Sequence, residues 1–107
     1  MAKIIWHEQA LIELDSHLEY ASMEFGRKTV LRWKQEIAAF EKSVKEYPES
    51  YTPEQSLLGK PVLYRRLHLM NKRFKLIYYY VESNDTVHVV DIWDTRMSPT
   101  ALVLRIK

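Results

Sequence analysis

The stretch LYRRLHLMNKRFKLIYYYVESNDTVHVVDIWDT, residues 63–95, decides the fold because it predicts three consecutive β-strands. The predicted strands share a high content of β-branched, aromatic and aliphatic residues, and they cover residues 63–70, 73–82 and 86–95. Asn71 and Lys72 form the first connection, and residues 83–85 form the second. Connections this short join neighbouring antiparallel strands, so the stretch predicts an antiparallel meander.

Two helices are predicted before this stretch, because apolar residues recur there at steps of three and four. The stripes are Leu11, Leu14, Leu18, Ala21 and Phe25 in the first helix and Val30, Trp33, Ile37, Phe40, Val44 and Tyr47 in the second. Gly26 lies where the first helix should end, and Pro48 stops the second. The short break at Gly26 predicts a helical hairpin, whose stripes face either each other or a sheet.

The ends of the chain add one strand and one short helix. Residues 4–6 predict a strand, and Ser98 followed by Pro99 predicts a capped helix through about Leu104. The fold class is therefore α+β, in the order β-α-α-β-β-β, as one domain over residues 1–107. The helical hairpin should pack on one face of an antiparallel β-sheet, with the first strand at an edge or beside the last. The other face should have much less to cover it.

Composition limits the classes of protein to consider. The chain has 107 residues, enough for one domain, and no cysteine, so disulfides and thiolate metal sites are excluded. The start resembles no signal peptide, and the longest uncharged apolar run, residues 76–81, is too short to cross a membrane. We therefore expect a cytoplasmic protein without a membrane partner.

Charge is unevenly distributed along the chain. The first 54 residues carry seven basic and ten acidic side chains, whereas residues 55–107 carry nine basic and four acidic ones. Six Lys or Arg residues and no acid lie between Glu54 and Glu82. Such a segment indicates either a polyanionic or acidic partner or a solvated strand face that resists aggregation.

Motifs for phosphate loops, metals and acid–base pairs are absent or weak. The four histidines show no metal-binding spacing, so no metal and no cofactor are expected. Asp91 and Asp94 are three apart on a strand and should point to opposite faces, so Asp94 is expected to pair with a neighbouring arginine instead. Tyr78, Tyr79 and Tyr80 should alternate between the two faces of a central strand.

Basic residues on the strands give the clearest functional signal. Arg65, Lys75 and Arg96 lie on or after three successive strands, and we expect them to converge on one patch. Fixed cations on a sheet can bind phosphate and stabilise the negative charge that develops in phosphodiester cleavage, without a metal. The alternative is that they are ordinary strand-end cations.

The sequence resembles the RelE/ParE superfamily of type II toxin–antitoxin toxins, also known as plasmid stabilisation proteins. The similarity covers almost the whole chain. It is carried by Ala10 and Leu14 in the first helix, by YRR at residues 64–66, by FKLIYYYV at residues 74–81 and by IWDTRMSP at residues 92–99. The resemblance implies a RelE-like two-layer fold and a cognate antitoxin partner.

For a RelE-type member the resemblance implies a ribosome-dependent mRNA endoribonuclease. Arg96 matches the arginine after the last strand, and Arg65 and Lys75 match basic positions of the RNA groove, so these three are the catalytic candidates. The implied chemistry is metal-free attack of a 2′-hydroxyl on the adjacent phosphate. Three further candidates for nucleic-acid contact are Arg66, Lys72 and Arg73.

For a ParE-type member the resemblance implies a non-enzymatic inhibitor of DNA gyrase. Leu67 stands where the RelE type has a lysine, and no tyrosine follows Arg96 to assist proton transfer. A third alternative is a degenerate member that binds only its antitoxin. The expected partner in each case is the antitoxin. The further partners to consider are the ribosome with its mRNA for a RelE-type toxin, DNA gyrase for a ParE-type toxin, and a second copy of the chain in a homodimer.

Overall fold

The structure is a computed structural model that describes residues 1–106, and it confirms the predicted α+β order. Its elements are β1 Lys3–Trp6, α1 Glu8–Glu24, α2 Arg27–Glu46, β2 Arg65–Leu69, β3 Phe74–Val81, β4 Thr86–Asp94 and α3 Pro99–Arg105. Short 3₁₀ turns at Gln55–Leu57 and Glu82–Asn84 interrupt two of the connections. The predicted strand and helix types are all present, with ends that differ by a few residues.

The four strands form one sheet in the order β1-β4-β3-β2. β2, β3 and β4 pair antiparallel in sequence, which confirms the meander. β1 lies at the edge beside β4, one of the two predicted positions, but it pairs parallel, from Lys3 opposite Thr86 to Trp6 opposite Val89. The sheet is therefore mixed. Parallel strands need a long connection, and here the helical hairpin, β2 and β3 all lie between β1 and β4 in the chain.

The hairpin reverses at Gly26, as the sequence predicts. Gly26 has φ 88°, a left-handed conformation that favours glycine, and its N–H donates to the oxygen of Ala21 at 2.9 Å. α1 and α2 both pack on one face of the sheet, called here the helical face. The core there includes Trp33, Phe40 and Val44 from α2, so the second predicted stripe is confirmed through Val44.

The first predicted stripe is wrong at both ends. Leu11 is 45% exposed and Phe25 is 62% exposed, whereas Ala10 is fully buried. α1 begins directly after β1, and small Ala10 is the side chain that meets the sheet there. Leu14, Leu18 and Ala21 face the core as predicted.

The opposite face of the sheet, called here the outer face, has more cover than predicted. α3 and the segment before β2 fold over it and build a second core of Leu57, Tyr64, Ile77, Trp93, Leu102 and Ile106. Ser98 caps α3 by accepting a hydrogen bond from the Thr100 N–H at 3.2 Å, as predicted.

A β-bulge in β4 sets which side chains reach the outer face. Ile77 pairs with Asp91 but Tyr78 pairs with Val89, so Val90 is an extra residue. Asp91 lies on the outer face in step with Trp93, while Asp94 lies on the helical face, which confirms their predicted opposition. Tyr78 and Tyr80 lie on the helical face and Tyr79 on the outer one, also as predicted.

Candidate functional site

The three cations predicted to share a site do not meet in one place. Arg65 pairs with Tyr78 and therefore lies on the helical face. Lys75 pairs with Trp93 and lies on the outer face, and Arg96 follows the end of β4. The meander is as predicted, but alternation along the strands sends Arg65 and Lys75 to opposite faces. The expected convergence is wrong, and a catalytic role for each residue stays a prediction.

Arg65 fastens the loop that follows α2. Its Nη1 donates to the backbone oxygen of Tyr51 at 2.7 Å, and its Nη2 lies 3.9 Å from a carboxylate oxygen of Glu49. Only 15% of the side chain is exposed. The guanidinium therefore holds the chain at the start of β2 and offers little surface to a ligand.

Lys75 belongs to an ion cluster around Glu54, a carboxylate that is only 3% exposed. The Lys75 Nζ donates to Glu54 Oε1 at 2.8 Å, and Arg66 Nε lies 3.5 Å from the same oxygen. Ser56 donates to Oε2 through its hydroxyl at 2.5 Å and through its N–H at 3.2 Å. The single carboxylate of Glu54 therefore offsets part of the positive charge of Lys75, a predicted catalytic residue, and of Arg66, a predicted nucleic-acid-binding residue.

The electrostatics of Glu54 agree with this geometry. Burial would raise the pKa of Glu54, but the hydrogen bonds from Lys75 and Ser56 outweigh burial and hold this pKa below its ordinary value. Glu54 is thus ionised at neutral pH and keeps Lys75 in place. The sequence could not assign this role, because Glu54 lies in a loop outside the predicted elements.

Arg96 forms the pair with Asp94 that the sequence predicts. Its Nη2 donates to Asp94 Oδ2 at 2.9 Å, and its Nε and backbone N–H donate to Oδ1 at 3.2 and 2.9 Å. The hydrogen bond from the Arg96 side chain lowers the pKa of Asp94. With 65% of its side chain exposed, Arg96 is nevertheless the most accessible of the three predicted catalytic residues.

A second buried carboxylate, Asp91, pairs with a cation that the sequence did not single out. Arg105 of α3 makes a bidentate contact with fully buried Asp91, and its Nη2 also donates toward Glu13 at 3.1 Å. Its guanidinium carbon lies 5.0 Å from the centre of the Trp93 ring. Arg105 therefore holds α3 on the outer face and links it to Glu13 of α1. No sequence signal joins it to Asp91, because the sequence does not show that α3 folds back over the outer face of the sheet.

Of the remaining nucleic-acid candidates, Lys72 and Arg73 differ from Arg66. Within residues 1–106, neither Lys72 nor Arg73 lies within ion-pair distance of a carboxylate. Lys72 is exposed in the β2–β3 turn, whereas Arg73 Nε is buried and has no hydrogen-bond partner in the described part of the chain. The basic segment thus separates into internally paired cations and two unpaired ones at the turn.

A row of rings crosses the outer face at its other end. His7 Nε2 and His88 Nδ1 share a hydrogen bond of 2.9 Å, and Tyr79 stacks on His88 with 4.7 Å between ring centres. Burial and nearby His7 lower the pKa of His88. Sequence reasoning missed this row, because His7 and His88 meet only through the parallel pairing of β1 with β4. No group of three metal-binding side chains exists among residues 1–106.

Residues 4–99 match the sequence profile of the ParE toxin of the type II toxin–antitoxin system parDE. The chain belongs to this family. The predicted membership of the RelE/ParE superfamily is therefore confirmed, and the protein is a type II toxin. No curated protein is similar enough in sequence to count as a relative.

Solved structures of toxins share its fold. The chromosomal ParDE system of P. aeruginosa includes a chain with TM-score 0.66 and 17% identity, covering 88% of this chain and 96% of that one. Isolated E. coli RelE matches with a TM-score of 0.57 and 20% sequence identity, and the match covers 100% of both chains. An E. coli RelE mutant in complex with an antitoxin RelB peptide matches with a TM-score of 0.59 and 16% sequence identity. This match covers 99% of this chain and 95% of that one. The RelE-like fold prediction is thus confirmed.

The structure also bears on membrane association. Throughout residues 1–106, each helix is too short or too polar to span a membrane.

Proposed function

We propose that this toxin acts by binding its target rather than by cleaving RNA, and that the target is DNA gyrase, as the ParE resemblance implies. The observation that supports this most is the pairing of the predicted catalytic cations. Lys75 is held by buried Glu54 and Arg96 by Asp94. Catalysis of phosphodiester cleavage by cations alone needs donors that converge on one phosphate and are free to bind it.

The sequence of the same region agrees with a non-enzymatic toxin. Leu67 replaces a lysine of the RelE type, and no tyrosine follows Arg96 that could move a proton. Lys75 in place of an arginine also gives up planar bidentate contact with phosphate. Three separate elements of the RelE-type reaction are therefore weakened in one chain.

An antitoxin is the second partner in this proposal. The P. aeruginosa structure is of a ParDE toxin–antitoxin system, and the E. coli mutant is of RelE with an antitoxin peptide. A segment that folds on this domain, and carries acids to match its basic second half, would fit the same pattern. A gyrase target requires a cytoplasmic location. A homodimer stays a prediction.

A ribosome-dependent RNase is the alternative function, and one observation favours it. Arg96 is mostly exposed despite its pair with Asp94, so a phosphate could compete with that carboxylate. Arg96→Ala is therefore the variant that separates the two functions.

The proposal is tested by inducing the wild type and Arg96→Ala in bacteria that lack the antitoxin. Breaks trapped on DNA by gyrase and the 5′ ends of translated mRNA are mapped in the same cultures. We expect gyrase-dependent breaks with intact mRNA, in both proteins. Cleavage of translated mRNA that disappears in Arg96→Ala would move the assignment to the RNase, and growth without arrest would leave a chain that only binds its antitoxin.

A further inference from the structure

A cleft of about 350 Å³ opens where the tip of the helical hairpin meets the β2–β3 turn. It lies away from the Glu54 ion cluster, but His17 in its wall lies 3.5 Å from Glu13, which also binds Arg105 of the Asp91 pair. Its walls come from the end of α1, the first turns of α2 and the turn itself, and they include Tyr20, Phe25, Thr29, Arg32, Trp33 and Arg73. Ligand pockets in proteins start at about 300 Å³, so the cleft suits one or two side chains.

Arg73 brings to this cleft a cation whose guanidinium carbon lies 5.7 Å from the centre of the Phe74 ring. Its Nε is buried without a hydrogen-bond partner, and no carboxylate lies within ion-pair distance of it among the described residues. His17 Nε2 is a second buried polar atom at the cleft without a hydrogen bond, although Glu13 lies 3.5 Å away. Buried donors in native proteins are nearly always satisfied, so the Nε–H of Arg73 indicates a missing partner that accepts a hydrogen bond.

The backbone beside Arg73 is strained and firmly held. Met70, Asn71 and Lys72 have φ of 52°, 57° and 66°, three successive left-handed residues without a glycine. Such strain persists only where the surroundings fix it, and it collects at ligand-binding sites. The strained backbone of this turn must therefore be held by contacts from neighbouring elements.

Helix α2 supplies that support. Glu36 accepts a hydrogen bond from the Met70 N–H at 2.8 Å, and Arg32 donates to the Asn71 side chain at 2.9 Å. Arg32 and Glu36 bind each other at 2.8 Å. Arg32 and Glu36 are thus engaged with the turn and with each other. Arg73 is therefore the cleft arginine with a donor left for a partner.

The mouth of the cleft is apolar. Tyr20 and Phe25 meet edge to face at 6.1 Å between ring centres and are 55% and 62% exposed. Trp33 forms the floor and is almost fully buried. Neighbouring large exposed rings are a mark of interaction sites. The occupant should therefore combine apolar surface with an acceptor for Arg73.

We propose that this cleft anchors the antitoxin through a large apolar side chain and an adjacent carboxylate. The apolar group would enter between Tyr20, Phe25 and Trp33. The carboxylate would accept a hydrogen bond from the Nε–H of Arg73. A small cleft with an aromatic mouth fits a peptide side chain better than a nucleic-acid backbone. This inference rests on the toxin–antitoxin assignment but not on gyrase as the target.

The test uses the full toxin and the protein encoded by the open reading frame next to its gene, co-expressed and co-purified. Arg73→Gln removes the cation, and Thr29→Trp fills the cleft from α2 without a change of charge. Lys28→Gln is the control, since it removes a neighbouring exposed cation that does not line the cleft. Melting curves establish that each variant is folded.

Arg73→Gln and Thr29→Trp should each raise the dissociation constant of the complex by about tenfold or more, as for an interface anchor. Lys28→Gln should leave it unchanged within about twofold. Wild-type affinity in both cleft variants would overturn the proposal, as would failure of the neighbouring protein to bind at all. Loss of growth arrest with intact antitoxin binding would assign the cleft to the target instead. A negative gyrase assay on the wild type would leave the inference standing.

Discussion

The two faces of the sheet are stabilised by different interactions. On the helical face, two long helices bury an aromatic and aliphatic core that includes Trp33, Phe40 and Tyr78. On the outer face, the short α3 and the loop before β2 bury a smaller apolar cluster and two carboxylates, Glu54 and Asp91. Each of these carboxylates is satisfied by cations from neighbouring elements.

This difference explains why the basic half of the chain is a poor guide to catalysis. Part of the positive charge on the outer face helps to hold α3 and the loop before β2 in place, beside the apolar cluster. Lys75 and Arg66 bind Glu54, and Arg105 binds Asp91. The cations available for a partner lie instead at the β2–β3 turn.

The largest effect is expected in the helical core. Phe40→Ala should lower the free energy of unfolding by about 3–5 kcal/mol, because Phe40 is 1% exposed and its loss leaves a cavity beside Tyr51 and Tyr78. Urea unfolding at neutral pH measures it. In the outer core, Leu102→Ala should cost less, about 2–3 kcal/mol, because the short α3 can settle into the space. Equal or reversed costs would contradict the comparison.

The next effect concerns the ion cluster of the outer face. Glu54→Gln should destabilise the protein by about 1.5–3 kcal/mol, because Lys75 and Arg66 lose their common charged acceptor. Exposed Glu46, which makes no ion pair in the described chain, gives the matched control Glu46→Gln. Urea unfolding gives the free energy of unfolding of both variants. Similar losses in the two would show that the Glu54 cluster does not stabilise the fold.

Acid should destabilise both faces. Burial lowers the pKa of His17 on the helical face, and burial together with His7 lowers that of His88 on the outer face, from an ordinary 6.5. The unfolded chain therefore binds protons that the folded state does not. Stability should be complete above pH 6.5 and decline as the pH falls below it.

Denaturation of the wild type at several pH values measures this decline. His17→Asn and His88→Asn should each remove part of it. A flat profile between about pH 8 and 5 would contradict the lowered pKa values.

The smallest effect is expected at Arg96. Arg96→Ala should leave the melting temperature nearly unchanged, because exposed ion pairs contribute little to folding. Growth arrest should also persist if the toxin does not cleave RNA. A clear fall in melting temperature would show that the Arg96–Asp94 pair has a structural role like that of the Glu54 cluster.

Much of the fold could be predicted from the sequence, because period and turn signals are local. The meander, the reversal at Gly26, the cap at Ser98 and the stripe of α2 needed no long-range information. The parallel pairing of β1 and the bulge at Val90 could not be predicted, since each depends on how distant segments meet. Arg105 was missed for the same reason.

The separation of Arg65 from Lys75, in contrast, was available from the sequence. A tight turn at Asn71 and Lys72 fixes the pairing of β2 with β3 and places Arg65 opposite Tyr78. Tyr78 and Lys75 are three residues apart, so they point to opposite faces. Which acids would neutralise Lys75 was not available, because Glu54 comes from an irregular loop.

The most direct measurement is growth arrest by the double variant Glu54→Leu/Lys75→Met, with its melting curve recorded beside it. Replacement of a buried ion pair by apolar residues of similar size is often neutral for folding. If Lys75 only holds the outer face together, the double variant should fold and arrest growth as the wild type does. A double variant that melts like the wild type but no longer arrests growth would contradict this, and would show that Lys75 or Glu54 takes part in toxicity itself.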